Sequence, residues 1–526
     1  MPPFDVAYVR SQFPALRRMV DGQPAAYLDG PGGTQTPQRV LDAVVDYLAN
    51  HNCNIHGAFV TSEETDAVVQ AAHEAGADLL GCHWEEVSYG ANMTTLGFLL
   101  SDAIARDIRP GDEVLVTQLD HEANRGPWQR LAERGAVVRE VPVDLETCTL
   151  DWAAFEKLVE PGKTKVVAGG YASNAVGTVN DVARAAALAR DAGALSIIDA
   201  VHYALHGPID VRAIGCDFLL CSAYKFFGPH VGLMYARREA TEVLEPVRLS
   251  TQEPDPPYVW ETGTLNHEGM AGTTAAIDFI ADLGERHLPL VEDRLLAGLQ
   301  GRRRAVVAGM LAGEAYEQPL AMRLREQLAG IPAVTLYGPP EGSPRTSTVS
   351  FTLEGFQAGE VCRALGARGL FTWDGDFYAH RLVELLGLLD RGGLVRVGLA
   401  PYTTEGELER LVSAVGALSR FNNNAAQLNE RGKAAAAALG LVAPNFNPYL
   451  NTIAQIVETA HCYDEAVKFL DELIAMAPTE ADLAPNVVPK AGRGIGLTEV
   501  PRGLLVHDYT YDADGICTAA DLIIPT

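Results

Sequence analysis

Five β-rich runs follow one another through the middle of the chain: AVVREVPV, TKVVAGGYAS, ALSIIDAVHY, CDFLLCSAY and VGLMYAR. The helical stretch DVARAAALARDAG lies between two of them. Such an alternation requires a largely parallel sheet covered by helices, with ligands gathered at the carboxyl ends of the strands. The chain is therefore predicted to be an α/β protein. At 526 residues it is long enough for about two to four structural units around a large core.

One of these runs leads directly into a lysine. In FLLCSAYKFFG, Lys225 has apolar and aromatic residues on both sides, an unusual place for a strongly hydrated ammonium. Taken alone it reads as a side chain that snorkels from a strand end to water. Desolvation would instead lower its pKa toward neutrality, and a neutral amine can form a Schiff base with an aldehyde. The run IIDAVHY favours the second reading because it puts Asp199 at the end of another buried strand. A carboxylate there can pair with the protonated ring nitrogen of pyridoxal phosphate and keep that ring an electron sink.

These motifs, with YLDGPGGTQTP, ANMTT, LDHEAN, ASNAVGT, ETGT and VRVGL, stand in the order found in one family. From Tyr27 to Val412 the chain resembles the cysteine desulfurase-like group of class V aminotransferases. The resemblance implies pyridoxal 5′-phosphate (PLP) as cofactor and the α/β fold type I of PLP-dependent transferases. It further implies a mostly parallel central sheet, a smaller α/β C-terminal domain and an appended α+β tail. The expected divisions are an N-terminal segment packing with the small domain (1–25), a large PLP-binding domain (26–276), a small domain (277–421), a linker (422–436) and the tail (437–526).

The same resemblance assigns roles to single residues. Lys225 carries the cofactor, Asp199 meets its ring nitrogen, and His121 stacks on the ring and relays protons. Thr94 and Thr95 fall where EEVSYGANMTT turns helical, and a helix N-terminus favours a phosphate; ordinary N-capping is the plainer reading of the spacing. Ser222 is a further phosphate contact, with Tyr224 in a position that is often histidine among relatives. His202 stands near the ring O3′, where many relatives have glutamine, and Asn174 lies near the substrate. Arg396 binds the α-carboxylate, for which a guanidinium fork is well matched. Thr264 reaches the phosphate of a neighbouring subunit, which implies a homodimer with shared sites. The region after GPGG lines the substrate pocket, with Asn54 and His56 as possible contributors.

One departure matters. Cysteine desulfurases carry a mobile loop whose cysteine takes up the substrate sulfur, yet the matching stretch LFTWDGDFYAHRLVELLGL contains no cysteine, and Cys362 lies on the preceding helix pattern. Trp373, Asp374 and Tyr378 stand there instead, either shaping specificity or simply packing the loop. What remains is chemistry that Lys225 can run without a thiol on a small amino acid or a cysteine conjugate. β-Elimination of the C–S lyase type leads, with transamination or epimerisation as alternatives.

A formal net charge of −27 argues against nucleic acid or an anionic membrane as partner. The N-terminal MPPFDVAYVR has no signal-peptide pattern, and no apolar run is long enough to span a bilayer, so a cytoplasmic protein is expected. The eight cysteines form no C-x-x-C pair, so neither a disulfide framework nor a zinc site is expected. After the polar run FNNNAAQLNERGK, residues Ile453 to Ile474 show helical apolar spacing, and the end of the chain alternates as a hairpin turning at Ala513-Asp514-Gly515. The segment EVPRGLLVHDY resembles part of the large subunit of nickel-iron hydrogenases, with Arg502 as the arginine beside that family's metal centre. Without that family's thiolates the tail is expected to hold no metal and to serve as an interaction module, which leaves a hydrogenase-associated scaffold as a reading of another class.

Overall fold

The computed structural model of the chain describes residues 4–20, 22–331, 333–443, 451–476, 492–500, 503–513 and 517–523. Arg502 and the expected turn residues Asp514 and Gly515 lie outside them. The chain divides into two compact units. The first comprises residues up to Arg325, with Leu336–Phe351 and Phe371–Thr403; the second comprises Glu326–Thr335, Thr352–Leu370 and the residues from Thr404 onward.

The first unit is built on a seven-stranded sheet. Its strands in chain order are β1 (Val87–Gly90), β2 (Glu113–Thr117), β3 (Val137–Val141), β4 (Thr164–Gly170), β5 (Leu195–Asp199), β6 (Phe218–Ser222) and β7 (Gly232–Ala236). Their spatial order is 3-2-4-5-6-7-1. Pairs β3·β2, β2·β4, β4·β5 and β5·β6 are parallel, and β7 runs antiparallel to both neighbours. Strands β2, β6 and β7 are buried at every position, which is why they read as continuous apolar runs rather than alternating ones.

Helices cover both faces. On one, α1 (Val60–Leu80) and α4 (His267–His287) bury Ala72, Leu79, Ile277 and Ile280 with Leu219, Leu233 and Tyr235 of the sheet. On the other, α2 (Met93–Ile104) brings Leu96 and Leu100 onto Val114, Val166, Leu220 and Met234, beside Trp128 and Trp260. Burial of each such large apolar side chain contributes about 1.5–3 kcal/mol. A third cluster sets α3 (Val182–Ala192) and residues Phe377, Leu382 and Leu394 with Leu115 and Val167. Residues Thr348–Phe351 of β8 (Thr348–Leu353) and β9 (Trp373–Gly375) pair antiparallel with β10 (Leu394–Gly398), so that Trp373 faces Arg396 across the ladder.

In the second unit α5 (Glu405–Asn424), α6 (Glu430–Ala438) and α7 (Asn451–Met476) pack together. The polar run expected as a linker thus carries helix from Glu430 to Ala438. Strands β11 (Gly492–Val500), β12 (Gly503–Tyr511) and β13 (Cys517–Ile523) form an antiparallel sheet. Among the described residues no helix is long and apolar enough to cross a membrane.

Candidate active site

Parallel strands deliver side chains from their carboxyl ends to one rim, and that rim holds a cavity of about 450 Å³. Its lining includes Thr94, His121, Asn174, Asp199, His202, Ser222, Tyr224 and Lys225. Residues taken from motifs far apart in the chain are therefore brought to one place.

Lys225 closes the short turn Ala223–Lys225 that follows β6. Its amine donates to the carbonyl of Pro31 in the GPGG turn. The two turns are latched together, since Thr34 N–H donates to the Tyr224 carbonyl at 3.0 Å and Phe227 N–H to Thr34 Oγ1 at 2.7 Å. Burial pushes the lysine pKa down to about 7, helped by the Arg396 guanidinium and opposed by Asp199 and Asp29. Near neutrality the amine is thus a competent nucleophile and base.

Asp199 ends β5, buried at 8 % exposure, and Oδ1 accepts Val201 N–H at 2.9 Å. Burial raises its carboxyl to about 6, with the Val201 hydrogen bond and Lys225 pulling the other way. Asp120, beside it on the lining, accepts from Gly170 N–H at 2.8 Å and Asn124 Nδ2 at 3.1 Å, and burial raises it to about 7. Strand β2 stops at Thr117, three residues short of Asp120. Asp120 and His121 occupy the following turn, where Leu119 N–H turns back to Thr117 Oγ1 at 3.2 Å.

His121 N-caps a short helical turn, its Nδ1 accepting Ala123 N–H at 2.9 Å. The neutral ring therefore carries its proton on Nε2. Burial, then Lys225 and Arg396, lowers its pKa to about 4, so it stays neutral across the physiological range. His202 is buried with Nε2 at 3.0 Å from Thr346 Oγ1 and 3.1 Å from Thr348 Oγ1, and burial holds its pKa well below the ordinary histidine value.

Helix α2 points its N-terminus at the cavity. Asn92 caps it by accepting from Thr95 N–H at 2.9 Å, and Ser222 Oγ accepts Met93 N–H at 3.1 Å. Gly232 permits this approach: an added Cβ would fall 2.4 Å from the Asn92 carbonyl carbon. Thr94 is exposed toward the cavity, whereas the Thr95 hydroxyl is engaged with Asn92 Oδ1 at 3.1 Å. Thr95 and Thr264 line a different hollow of about 320 Å³, with Trp260 and Leu96.

Arg396, 4 % exposed on β10, donates to the Asn174 carbonyl at 2.8 Å and lies 4.0 Å from the centre of the Phe377 ring. Asn174 in turn donates from Nδ2 to the Phe377 carbonyl at 2.8 Å. Its Oδ1 is buried without a hydrogen-bond partner among the described residues. Asn54 and His56 sit away from the lining; His56 faces Asp66 at 3.1 Å.

Several neighbours escaped sequence reasoning. Asp29 is set between Lys225 and Arg396 electrostatically, and burial raises its carboxyl to about 6. His230 lines the cavity and stacks on Tyr224, ring centres 5.1 Å apart. The motifs YLDG and KFFGPH contained both, but neither residue type there signals burial or stacking before the turns are folded.

The donor set fits PLP. A near-neutral amine would hold its aldehyde, the Asp199 carboxylate its ring nitrogen, the His121 ring its face, and the α2 N-terminus with Thr94, Ser222 and His230 its phosphate. The orphaned Asn174 Oδ1 marks a polar contact that protein atoms leave unmade.

Fold and site together define a PLP-dependent enzyme of fold type I. The aminotransferase class-V family model matches residues 26–303 and 306–411, and the chain belongs to that family. A cysteine desulfurase from Serratia proteamaculans is 31% identical over 435 residues, covering 80% of this chain and 99% of the relative. One from Pectobacterium atrosepticum is 30% identical with the same coverage. The apo structure of the Thermococcus onnurineus cysteine desulfurase aligns with a TM-score of 0.69 at 25% identity, over 79% of this chain and 98% of that one. The Escherichia coli cysteine desulfurase CsdA aligns at 0.66 and 26% identity with the same coverage. The family's cofactor, PLP, is the cofactor of this chain.

Proposed function

We propose that this enzyme catalyses β-elimination on a small amino acid or cysteine conjugate, breaking its Cβ–S bond in the manner of a C–S lyase. The observation that carries the reading is the state of the segment standing where a desulfurase thiol loop would be. It contains no cysteine, and two hydrogen bonds tie it down: Asn174 Nδ2 to the Phe377 carbonyl at 2.8 Å, and Glu122 N–H to the Tyr378 carbonyl at 2.7 Å. None of the eight cysteines lines the cavity.

PLP, when bound, supplies an electron-withdrawing ring that stabilises negative charge at the substrate's Cα. Every other task falls to side chains. Arg396 holds the α-carboxylate, Lys225 takes the Cα proton, Asp199 keeps the ring nitrogen protonated, and the Nε2 hydrogen of His121 is available to the departing sulfur. The Cα–H and Cβ–S bonds break, the electron pair of the latter leaves with sulfur as a thiol, and water completes the balance: R–S–CH₂–CH(NH₃⁺)–COO⁻ plus water gives RSH, pyruvate and ammonium.

Return of the proton elsewhere would give epimerisation or transamination with the same residues. We read Thr264 as a contact to the partner's site in a homodimer, and residues 437–526 as a metal-free hydrogenase-like interaction module; a catalytically silent scaffold is the remaining alternative. The test is to incubate the purified yellow protein with S-substituted cysteines. Stoichiometric pyruvate, ammonia and thiol support elimination, a pyridoxamine spectrum or inverted Cα replaces it by the second reading, and an unchanged cofactor spectrum with every amino acid leaves the scaffold.

A further inference from the structure

We propose that Trp373 and Tyr378 receive the group carried on the substrate's sulfur, so that the preferred substrate is a cysteine conjugate whose substituent ends in a flat apolar ring. This inference rests on the reading of the site as one for S-substituted amino acids. Trp373 is 51% exposed and Tyr378 71%, an unusual amount of aromatic surface to leave in water beside a catalytic rim.

Neither ring is among the residues that line the cavity, but each is fixed against its rim. Trp373 faces Arg396 across the β9·β10 ladder, so the two side chains leave the sheet on one face. Its indole packs on Gly32, where an added Cβ would fall 2.5 Å from Nε1; Gly32 follows Pro31, the acceptor of the Lys225 amine. The indole therefore stands beside both the carboxylate-binding arginine and the turn that holds the lysine.

Tyr378 is held by strain. Phe377 and Tyr378 have φ of 55° and 60°, two successive non-glycine residues in the left-handed region. Such strain persists only where the surroundings over-determine it, and it gathers at functional sites. Here Asp376 Oδ1 accepts Tyr378 N–H at 2.9 Å and the Tyr378 carbonyl accepts Glu122 N–H at 2.7 Å. The result places the Phe377 ring under Arg396 and the Tyr378 ring 5.3 Å from His121, tilted by 40°. Asp374 follows Trp373 on β9 and leaves the sheet on the opposite face, and the other charged groups of the segment are paired: Asp376 with His380 at 2.8 Å, and Arg381 with Glu384 at 2.7 Å and with Glu140 of β3 at 3.0 Å. The wall offered to a substituent is aromatic rather than ionic.

The test titrates the PLP-loaded full chain with S-benzyl-L-cysteine, S-methyl-L-cysteine and L-cysteine, reading cofactor absorbance for Kd and pyruvate for kcat/KM. S-Benzylcysteine is expected to bind at least tenfold more tightly than S-methylcysteine. Tyr378→Ala and Trp373→Ala each shrink that ratio several-fold, and Tyr378→Phe preserves it. Equal Kd values for the two conjugates, or a ratio that survives both alanine variants, overturn the inference. Tight S-benzylcysteine binding without pyruvate would sink the elimination reading alone, whereas pyruvate from every conjugate without preference would sink only this one.

Discussion

The guanidinium of Arg396 donates to the main-chain carbonyl of Asn174 at 2.8 Å, joining the middle of β10 to the loop that also anchors Phe377. A buried arginine in this setting has its fork preset before any carboxylate arrives, so little ordering remains to be done on binding. Replacement by lysine keeps the charge and loses the planar fork. Arg396→Lys is expected to raise KM for the amino acid by about tenfold, and Arg396→Ala by about 100-fold, from the loss of about 1.5–3 kcal/mol of charged hydrogen bonding. Steady-state kinetics with circular dichroism as a fold control measures both.

The lysine at about pH 7 gives a signed expectation for cofactor loading. Only the neutral amine attacks an aldehyde, and its fraction grows as pH rises through that value. Reconstitution of apoprotein with PLP should accelerate between about pH 6 and 8 and then level off, followed by stopped-flow absorbance. Borohydride with peptide mapping should label residue 225 in the wild type, and Lys225→Ala should load no covalently bound cofactor. A labelled peptide elsewhere would refute the assignment.

Stability of the apoprotein carries the same signature. The folded lysine has a lower pKa than the unfolded one, so between about pH 7 and 10.4 the unfolded chain binds more protons and stability rises with pH. Lys225→Met should melt above the wild type near pH 7, and the gap should narrow toward pH 10. Asp199 works in the opposite sense: its raised carboxyl makes the fold lose stability as pH climbs from about 4 to 6. Asp199→Asn should flatten that limb in thermal melts of apoprotein.

Sulfur chemistry provides a separate check. Cys462 and Cys517 are exposed, while Cys148, Cys216, Cys221 and Cys362 are buried. Burial also raises the thiols of Cys148, Cys216 and Cys221 and disfavours their thiolates. The double variant Cys462→Ser, Cys517→Ser should retain full pyruvate formation, and mass spectrometry after turnover should find no persulfide on the chain.

Behind His202 lies a buried cluster that bears on stability rather than on substrate. His206 Nδ1 is 3.2 Å from Glu317 Oε2, and Ser347 Oγ donates to the same oxygen at 2.5 Å. Removing one hydrogen-bonding partner leaves the other buried and unsatisfied, at a cost of about 1–3 kcal/mol. His206→Ala should therefore lower the melting temperature sharply, and Glu317→Gln should cost less because the amide can still engage both neighbours.

Particular elements show how far the sequence could be read. The strands ending in Asp199 and Ser222 were legible because burial on both faces forces continuous apolar runs, and a helix beginning near Thr94 was legible from the change of period. The exact end of β2 was not, because the hydrogen bond that turns the chain at Thr117 leaves no mark in composition. The polar run FNNNAAQLNERGK reads as a linker, yet its last residues open α6, capped by Asn429 accepting from Gly432 N–H at 2.9 Å. Thr95 matched a motif, but its hydroxyl is engaged by the cap one turn earlier.

By itself the sequence determined the sheet, because strands buried on both faces must read as continuous apolar runs; for Lys225 it left a snorkelling side chain open until the motifs were taken together. Only the tertiary structure decided that Asp29, the Pro31 carbonyl, His230 and the strained Phe377-Tyr378 pair belong to the same site. Their contributions are electrostatic proximity, a main-chain acceptor, ring stacking and backbone strain. Each depends on distances between segments far apart in the chain, and those distances exist only once the core has closed.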